Sequence, residues 1–508
     1  MKKLLCALLT LIFLCGCTQQ GAYVPTGNGL ATEDTQVTEA TDPIVDPTTQ
    51  IFTLAYYQKE GTNPFLDISY VNRAIASLLY QGLFSVDRDY NVEPSLCKSY
   101  TVSQDMRTYT FYLEDATFSD GSTVTPADVL ASLTCAKESD YYGGRFGFIG
   151  DMELTPDNGI TIHLYTSMEN LPILLDIPIL KATQLAESFP DGTGPYRISG
   201  TNTGMSLLLR KNWWCSASLP VNAQSIPLVN CSSPIDVRDG FEFENVGLTV
   251  ADPGSSAYVD YHCDYELWEC ETGLFLYIAC RRTSEVFSND AIRQALLRSI
   301  NRERIVEEFY NGFARPTTLP VSPASPYYSQ ALANRIVYDP DALKNAVAQE
   351  GMTGAPVVLL VNGGDTIRLR TARNIVSLLT EAGLSVTLSS PKGYAFKDAI
   401  YYNSYDLYLG QTKLSPNMDL SGFFYTYGSL SYGAIDNPAA YSLCLDALEN
   451  SGNYYDLCQI STKEALLCPI LFRTYAVYAQ RGLMSNLSPS RDNIFHYSLG
   501  KTMEQAKQ

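Results

Sequence analysis

Residues 357–388 read VVLLVNGGDTIRLRTARNIVSLLTEAGLSVTL. Val357 to Val361 is a short, wholly apolar run, the mark of a strand covered on both faces. Ile367 to Glu381 repeats its apolar residues at helical spacing, and Gly383 stands where a helix ends. Ser385 to Leu388 is a second strand, and Leu407-Tyr408-Leu409 a third after a short helical stretch. Strand, helix and strand at this spacing predict a βαβ unit and parallel pairing. The fold class is therefore α/β.

Upstream, Asp290 to Ile300 forms an amphipathic helix, and Asn301 caps a second, Arg302 to Tyr310, which stops at Gly312. Nearer the start, Ile51 to Tyr56 is strand-like. Val71, Ile75, Leu78 and Leu79 then mark a helix that Gly82 is expected to close. Thr108 to Leu113 alternates as a strand, as do Thr161 to Leu164 and Ser206 to Leu209. Thr125-Pro126-Ala127-Asp128 opens a helix, with Thr as cap and an acid at the third position. Asp120-Gly121 reads as a tight turn.

The first residues tell of export. Met1-Lys2-Lys3 precedes an apolar run from Leu4 to Leu14, a secretory signal pattern too short to span a bilayer. It ends in Leu14-Cys15-Gly16-Cys17, which resembles the bacterial lipobox. By that resemblance residues 1–16 are a lipoprotein signal peptide and Cys17 is the lipidated first residue of the mature chain. Residues 17–50, rich in Thr, Asp, Glu, Gly and Pro, bury too little to fold and are expected to be a disordered tether reaching roughly 30 Å.

The formal charge is −19, and it becomes more negative once Lys2 and Lys3 are removed. An acidic exported chain argues against nucleic acid and against adhesion to anionic lipid. Tyr numbers 35, which suits a wet cleft where rings stack on a ligand and hydroxyls bond to it. Of 13 cysteines, ten stay after Cys6, Cys15 and Cys17. Cys263 with Cys270 is the nearest arithmetical pair, but most sit in apolar runs and read as free, buried thiols. With no CxxC pair, no metal site or cofactor is expected.

Several blocks, taken in order, resemble the large family 5 extracellular solute-binding proteins, which include oligopeptide, dipeptide and nickel binders. Leu79-Tyr80-Gln81-Gly82-Leu83-Phe84 with Glu93-Pro94-Ser95-Leu96 is similar to the family's opening. Tyr109 to Leu113, Phe118 to Ser122 and Thr125 to Val129 look like its next block. Gly192-Thr193-Gly194-Pro195-Tyr196, Asn289 to Leu296 with Ile300-Asn301-Arg302, and Tyr405-Asp406-Leu407 follow in register. The resemblance runs from about residue 51 to 497.

It implies a two-lobed periplasmic-binding-protein fold with an extra subdomain in lobe I. Lobe I would take residues 51–272 plus 473–508, and lobe II residues 273–472. The hinge crossings are expected near Gly273 to Cys280 and Leu471 to Tyr478. The implied function is an extracytoplasmic solute-binding lipoprotein of an ABC importer, monomeric and held at the outer face of the cell membrane. It would capture a peptide-class or other small ligand for membrane permease subunits.

The resemblance also implies site residues. The family's ligand-gripping strand corresponds to Gly410-Gln411-Thr412-Lys413-Leu414, with Leu414 where relatives carry an Asp that pairs with the ligand's ammonium group. The next acid is Asp419. Gln411, Thr412 and Lys413 are thus ligand-binding candidates, and Lys413 points to an anionic group such as a carboxylate. Asn63, Tyr80, Tyr196 and Arg473 are implied near the cleft, although Tyr196 also reads as a packed strand residue and Arg473 as an interlobe ion-pair partner.

No catalytic residues are expected: only three His occur, and no HExxH, Gly-x-Ser-x-Gly, Walker or GxGxxG pattern appears. Two alternatives stay open, a ligand-sensing receptor lipoprotein of the same fold and a secreted carboxylate-dependent hydrolase, which needs only two acids.

Overall fold

The computed structural model describes residues 51–201, 204–430, 435–491, 493–501, 506 and 507. The signal segment, Cys17 and the tether lie outside the described residues. None of the described helices is long and apolar enough to cross a membrane.

The strand Pro356–Val361 pairs in parallel with Ser385–Ser389 on one side and with Leu407–Lys413 on the other. Between the first two runs the helix Thr366–Glu381, capped by the Asp365 carboxylate on the Arg368 N–H at 2.9 Å. Gly383 follows it at φ +98°, a backbone conformation that a side chain resists. This is the βαβ unit expected from residues 357–388.

Two long antiparallel strands, Tyr265–Cys280 and Leu467–Gln480, run the length of the main sheet. Their neighbours change partway along. Leu248–Ala251 pairs with Leu467–Gln480 at residues 476–479 and continues the sheet toward Leu54–Tyr56, Ser225–Asn230, Gly204–Leu209 and Tyr196–Thr201. Leu407–Lys413 pairs with the other long strand at residues 274–280. The exchange falls where the register between the two long strands slips, after Glu271, at Gly273 with φ +71°.

In the second half of Tyr265–Cys280, successive side chains enter different cores. Leu276, Ile278 and Cys280 pack with Leu296, Leu359 and Ile375. Phe275 and Tyr277 pack with Phe423 and Phe472. This is the period-2 alternation of a strand buried on both faces.

A separate antiparallel sheet carries Cys97–Val102, Thr108–Leu113, Ile160–Leu164 and Ile149–Leu154. Beside it lies the helix Pro126–Glu138, whose start behaves as its sequence demands. The Asp128 carboxylate accepts the Thr125 N–H at 2.9 Å and its hydroxyl at 2.7 Å, while its other oxygen takes the Ala182 N–H at 2.8 Å. Asp120-Gly121 makes the expected turn, with Gly121 at φ +89°.

Gly82 does not close the helix before it. That helix, Tyr70–Leu79, ends in extended backbone at Tyr80. A Cβ on Gly82 would meet the Asp176 backbone at 2.7 Å, so this glycine serves a close chain crossing instead. The ten cysteines of the described residues are not disulfide-bonded, and seven of them are buried.

Candidate functional site

The helix Tyr70–Leu79 begins at Ser69, whose hydroxyl caps the Asn72 N–H. Asn72 is buried and ties the helix to the preceding chain through Tyr57 and the Gly61 carbonyl. On this fixed element stands Arg73. After the helix Pro126–Glu138 comes the Tyr141-Tyr142-Gly143-Gly144-Arg145 turn. A Cβ on Gly143 would lie 2.9 Å from the Lys137 carbonyl, so only glycine lets the chain fold back this tightly.

The turn brings Tyr141 against two cations. The Arg73 guanidinium carbon lies 3.4 Å from the Tyr141 ring centroid, and Lys413 Nζ lies 3.6 Å from it. Two groups at those distances do not fit on one face, so the ring is sandwiched. Each contact is worth roughly 0.5–2 kcal/mol. Arg145 is buried, pairs with Asp176 and donates to the Leu174 carbonyl at 3.3 Å.

Around this stack a cavity of about 450 Å³ opens between residues 140–148 on one side and 412–441 on the other. Its volume is within the range of small-molecule sites. Thr412, Lys413, Asp419, Tyr425 and Tyr441 face it, the last two rings stacked at 5.0 Å. A smaller chamber of about 80 Å³ adjoins it, with Tyr141, Arg145 and Arg491 as shared walls. The Asp419 carboxylate accepts the Ser421 N–H at 2.8 Å and its hydroxyl at 3.0 Å. Its enclosure by protein raises its pKa above the usual carboxylate range, an effect the Ser421 bonds partly oppose.

Arg491 links the cavity to the strand exchange. Its buried guanidinium packs over Gly273, where a Cβ would come within 2.5 Å of it, and donates to the Leu414 carbonyl. The Leu414 N–H in turn donates to the Gly273 carbonyl at 3.0 Å.

The residues implied by sequence divide into two groups. Thr412 and Lys413 stand on the main cavity. Tyr80 borders the small chamber, with its hydroxyl bonded to Thr62 at 2.9 Å and to the Pro190 carbonyl at 3.2 Å. The other four face neither chamber.

The Asn63 amide donates to the Leu185 and Glu187 carbonyls at 2.9 and 2.8 Å. The Tyr196 hydroxyl donates to the Val221 and Ala223 carbonyls. Arg473 makes a two-pronged pair with Asp252 at 2.6 and 2.7 Å and reaches Gln411 at 3.3 Å. It joins the strand Leu407–Lys413 to the loop after Leu248–Ala251. Burial works against its charge, but Asp252, with Tyr310 and Tyr475 in support, raises its pKa on balance.

Sequence reasoning missed Arg73, Tyr141, Arg145 and Arg491. The paired tyrosines and glycines of the turn were the one local signal available.

Comparison with known proteins places this geometry in context. The profile of bacterial extracellular solute-binding proteins, family 5 Middle, matches residues 91–434. The glutathione-binding protein GsiB of Salmonella typhi is 26% identical over 307 residues, 55% of this chain and 57% of its own. GsiB of Escherichia coli K12 is 25% identical over 283 residues, 51% and 53%. The chain thus spans little more than half the length of these curated relatives.

Among solved structures, the oligopeptide-binding protein AppA from Bacillus subtilis, in complex with a nonapeptide, superposes with a TM-score of 0.61. It is 17% identical, covering 89% of this chain and 99% of its own. NikA from Brucella suis, in complex with Fe(III)-EDTA, gives 0.67 at 17% identity, covering 87% and 98%.

Proposed function

The chain belongs to the family 5 bacterial extracellular solute-binding proteins, and from that premise we propose that it captures a peptide-class ligand between its two lobes and delivers it to an ABC permease. Lobe I takes residues 51–272 plus 473–508, lobe II residues 273–472, and the lipidated Cys17 with its tether keeps the domain at the outer face of the membrane. The observation that supports the reading is the Arg73–Tyr141–Lys413 stack beside the 450 Å³ cavity, a ligand-sized space between residues 140–148 and 412–441.

Lobe closure costs conformational freedom, and a ligand touching both sides offsets it. Backbone amides of the strand Leu407–Lys413 and the neighbouring tyrosines supply hydrogen bonds and stacking that accept varied side chains. Asp419 is the acid available for a ligand ammonium group, standing in for the Asp that Leu414 replaces. The curated relatives are named for glutathione, a tripeptide, and one structural relative holds a nonapeptide.

Native mass spectrometry of the purified protein, followed by denaturation and identification of the released solute, tests this. Co-purified peptides support the reading. A sugar or a metal chelate in the cleft would keep the binding-protein fold and overturn the ligand class.

A further inference from the structure

Glu169, on neither of the long strands, joins segments up to 282 residues apart. Its N–H donates to the Leu448 carbonyl at 2.8 Å, and its carboxylate accepts the Ser451 N–H at 2.9 Å. Leu448 lies in the last turn of the helix Pro438–Glu449, and Ser451 opens the short turn Ser451–Asn453. A helix leaves its last carbonyls unpaired, and a helical turn its first N–H groups. Glu169 satisfies one of each.

The residue is also held from behind. Tyr109, fully buried, shares its hydroxyl between the Met168 carbonyl at 2.6 Å and the Glu169 carbonyl at 3.2 Å. The Met168 N–H donates to the Met106 carbonyl at 3.2 Å. The loop after the strand Ile160–Leu164 is therefore pinned to the separate sheet, while Glu169 itself is exposed.

Both ends of this link continue into the walls of the main cavity. In the same loop, the Tyr165 N–H donates at 2.9 Å to the carbonyl of Phe148, a cavity residue. Opposite, Tyr441 stands on the cavity about two turns, or roughly 10 Å, before Leu448 on one helix. Parting these walls breaks both bonds of Glu169.

This step rests on the two-lobe reading above, in which residue 169 belongs to lobe I and residues 448 and 451 to lobe II. On that basis we infer that Glu169 is a clasp that holds the lobes together and slows release of the solute. It lines neither chamber. It is a positioning residue, setting how long a solute stays and not which solute is chosen.

The test compares the purified, dialysed full chain with Glu169→Ala, with Ser451→Pro, which removes the N–H, and with the double variant. Small-angle scattering without added solute should give a larger radius of gyration in each variant than in wild type. Hydrogen exchange of residues 140–148 and 421–430 should be about fivefold faster in Glu169→Ala, with the melting temperature preserved. The double variant should open little further, because both changes remove the same bond. Tri-alanine, bound and then diluted, should leave Glu169→Ala about fivefold faster than wild type, with its association rate little changed.

Scattering and cleft exchange that are the same in wild type and Glu169→Ala overturn the clasp, whatever solute binds. Fully additive effects of the two single changes overturn it as well, since they would then act apart. Should Ser451→Pro not fold, the exposed Glu169→Ala decides alone. Failure of tri-alanine to bind any of the proteins counts against the peptide reading and leaves the clasp to scattering and exchange, which need no solute.

Discussion

Lys413 and Arg473 are both cations implied near the cleft, and their surroundings give them different work. Lys413 Nζ rests on Tyr141 at 3.6 Å beside the main cavity, where a ligand seated in the cavity would meet it. Replacing Lys413 by Ala should weaken an acidic ligand about tenfold, the equivalent of about 1.4 kcal/mol, with little change in the melting curve. Unchanged affinity in titration calorimetry would remove Lys413 from the site. Arg473 instead holds Asp252 at 2.6 and 2.7 Å, with both side chains largely buried. Arg473→Met strands that carboxylate and should cost about 3 kcal/mol of stability, read by chemical denaturation. Adding Asp252→Asn should recover much of the loss, which a purely steric defect would not allow.

The two long strands were visible in sequence only in pieces, and the reason lies in their neighbours. The first half of Tyr265–Cys280 is partly exposed and carries Glu266, Glu269 and Glu271, whereas the second half is buried on both faces. One strand therefore shows two hydrophobic patterns, and neither gives its full length. The unit at 356–389 was legible because its strands are short, its helix is long and its glycines fall at the ends. The cleft was less so, since Arg73, Arg145, Lys413 and Arg491 come from distant segments and no local period links them. At the junction, Gly273 holds φ +71° beneath the Arg491 guanidinium. Gly273→Ala should impose about 1–3 kcal/mol of strain and push Arg491 from the cavity wall. A fall in both melting temperature and ligand affinity is expected. Normal affinity in a merely destabilised variant would separate the glycine from the site.

Across the whole molecule, acidification sets two effects against each other. Protonating carboxylates relieves the self-repulsion of a chain at −19 and favours the folded state. His496 opposes this. Burial lowers its pKa below the ordinary 6.5, the nearby Glu93 and Asp87 offset that only in part, and its Nε2 has no hydrogen-bond partner. Between its folded pKa and 6.5 the unfolded chain therefore binds the proton first, and stability rises with pH in that window. What His496 contributes is fully present above 6.5 and is lost as pH falls through its depressed folded value. Asp120 acts in the same sense further down, with its pKa held to about 2 by Lys181 and Ser122, so its share, small for so exposed a pair, disappears only between about 3.8 and about 2. Melting temperature followed from pH 7.5 to 5 should consequently decline in the wild-type chain more steeply than in His496→Gln, which keeps a polar group but cannot titrate. Parallel curves for the two proteins would mean that His496 titrates alike in both states and that the acid response belongs to the surface carboxylates.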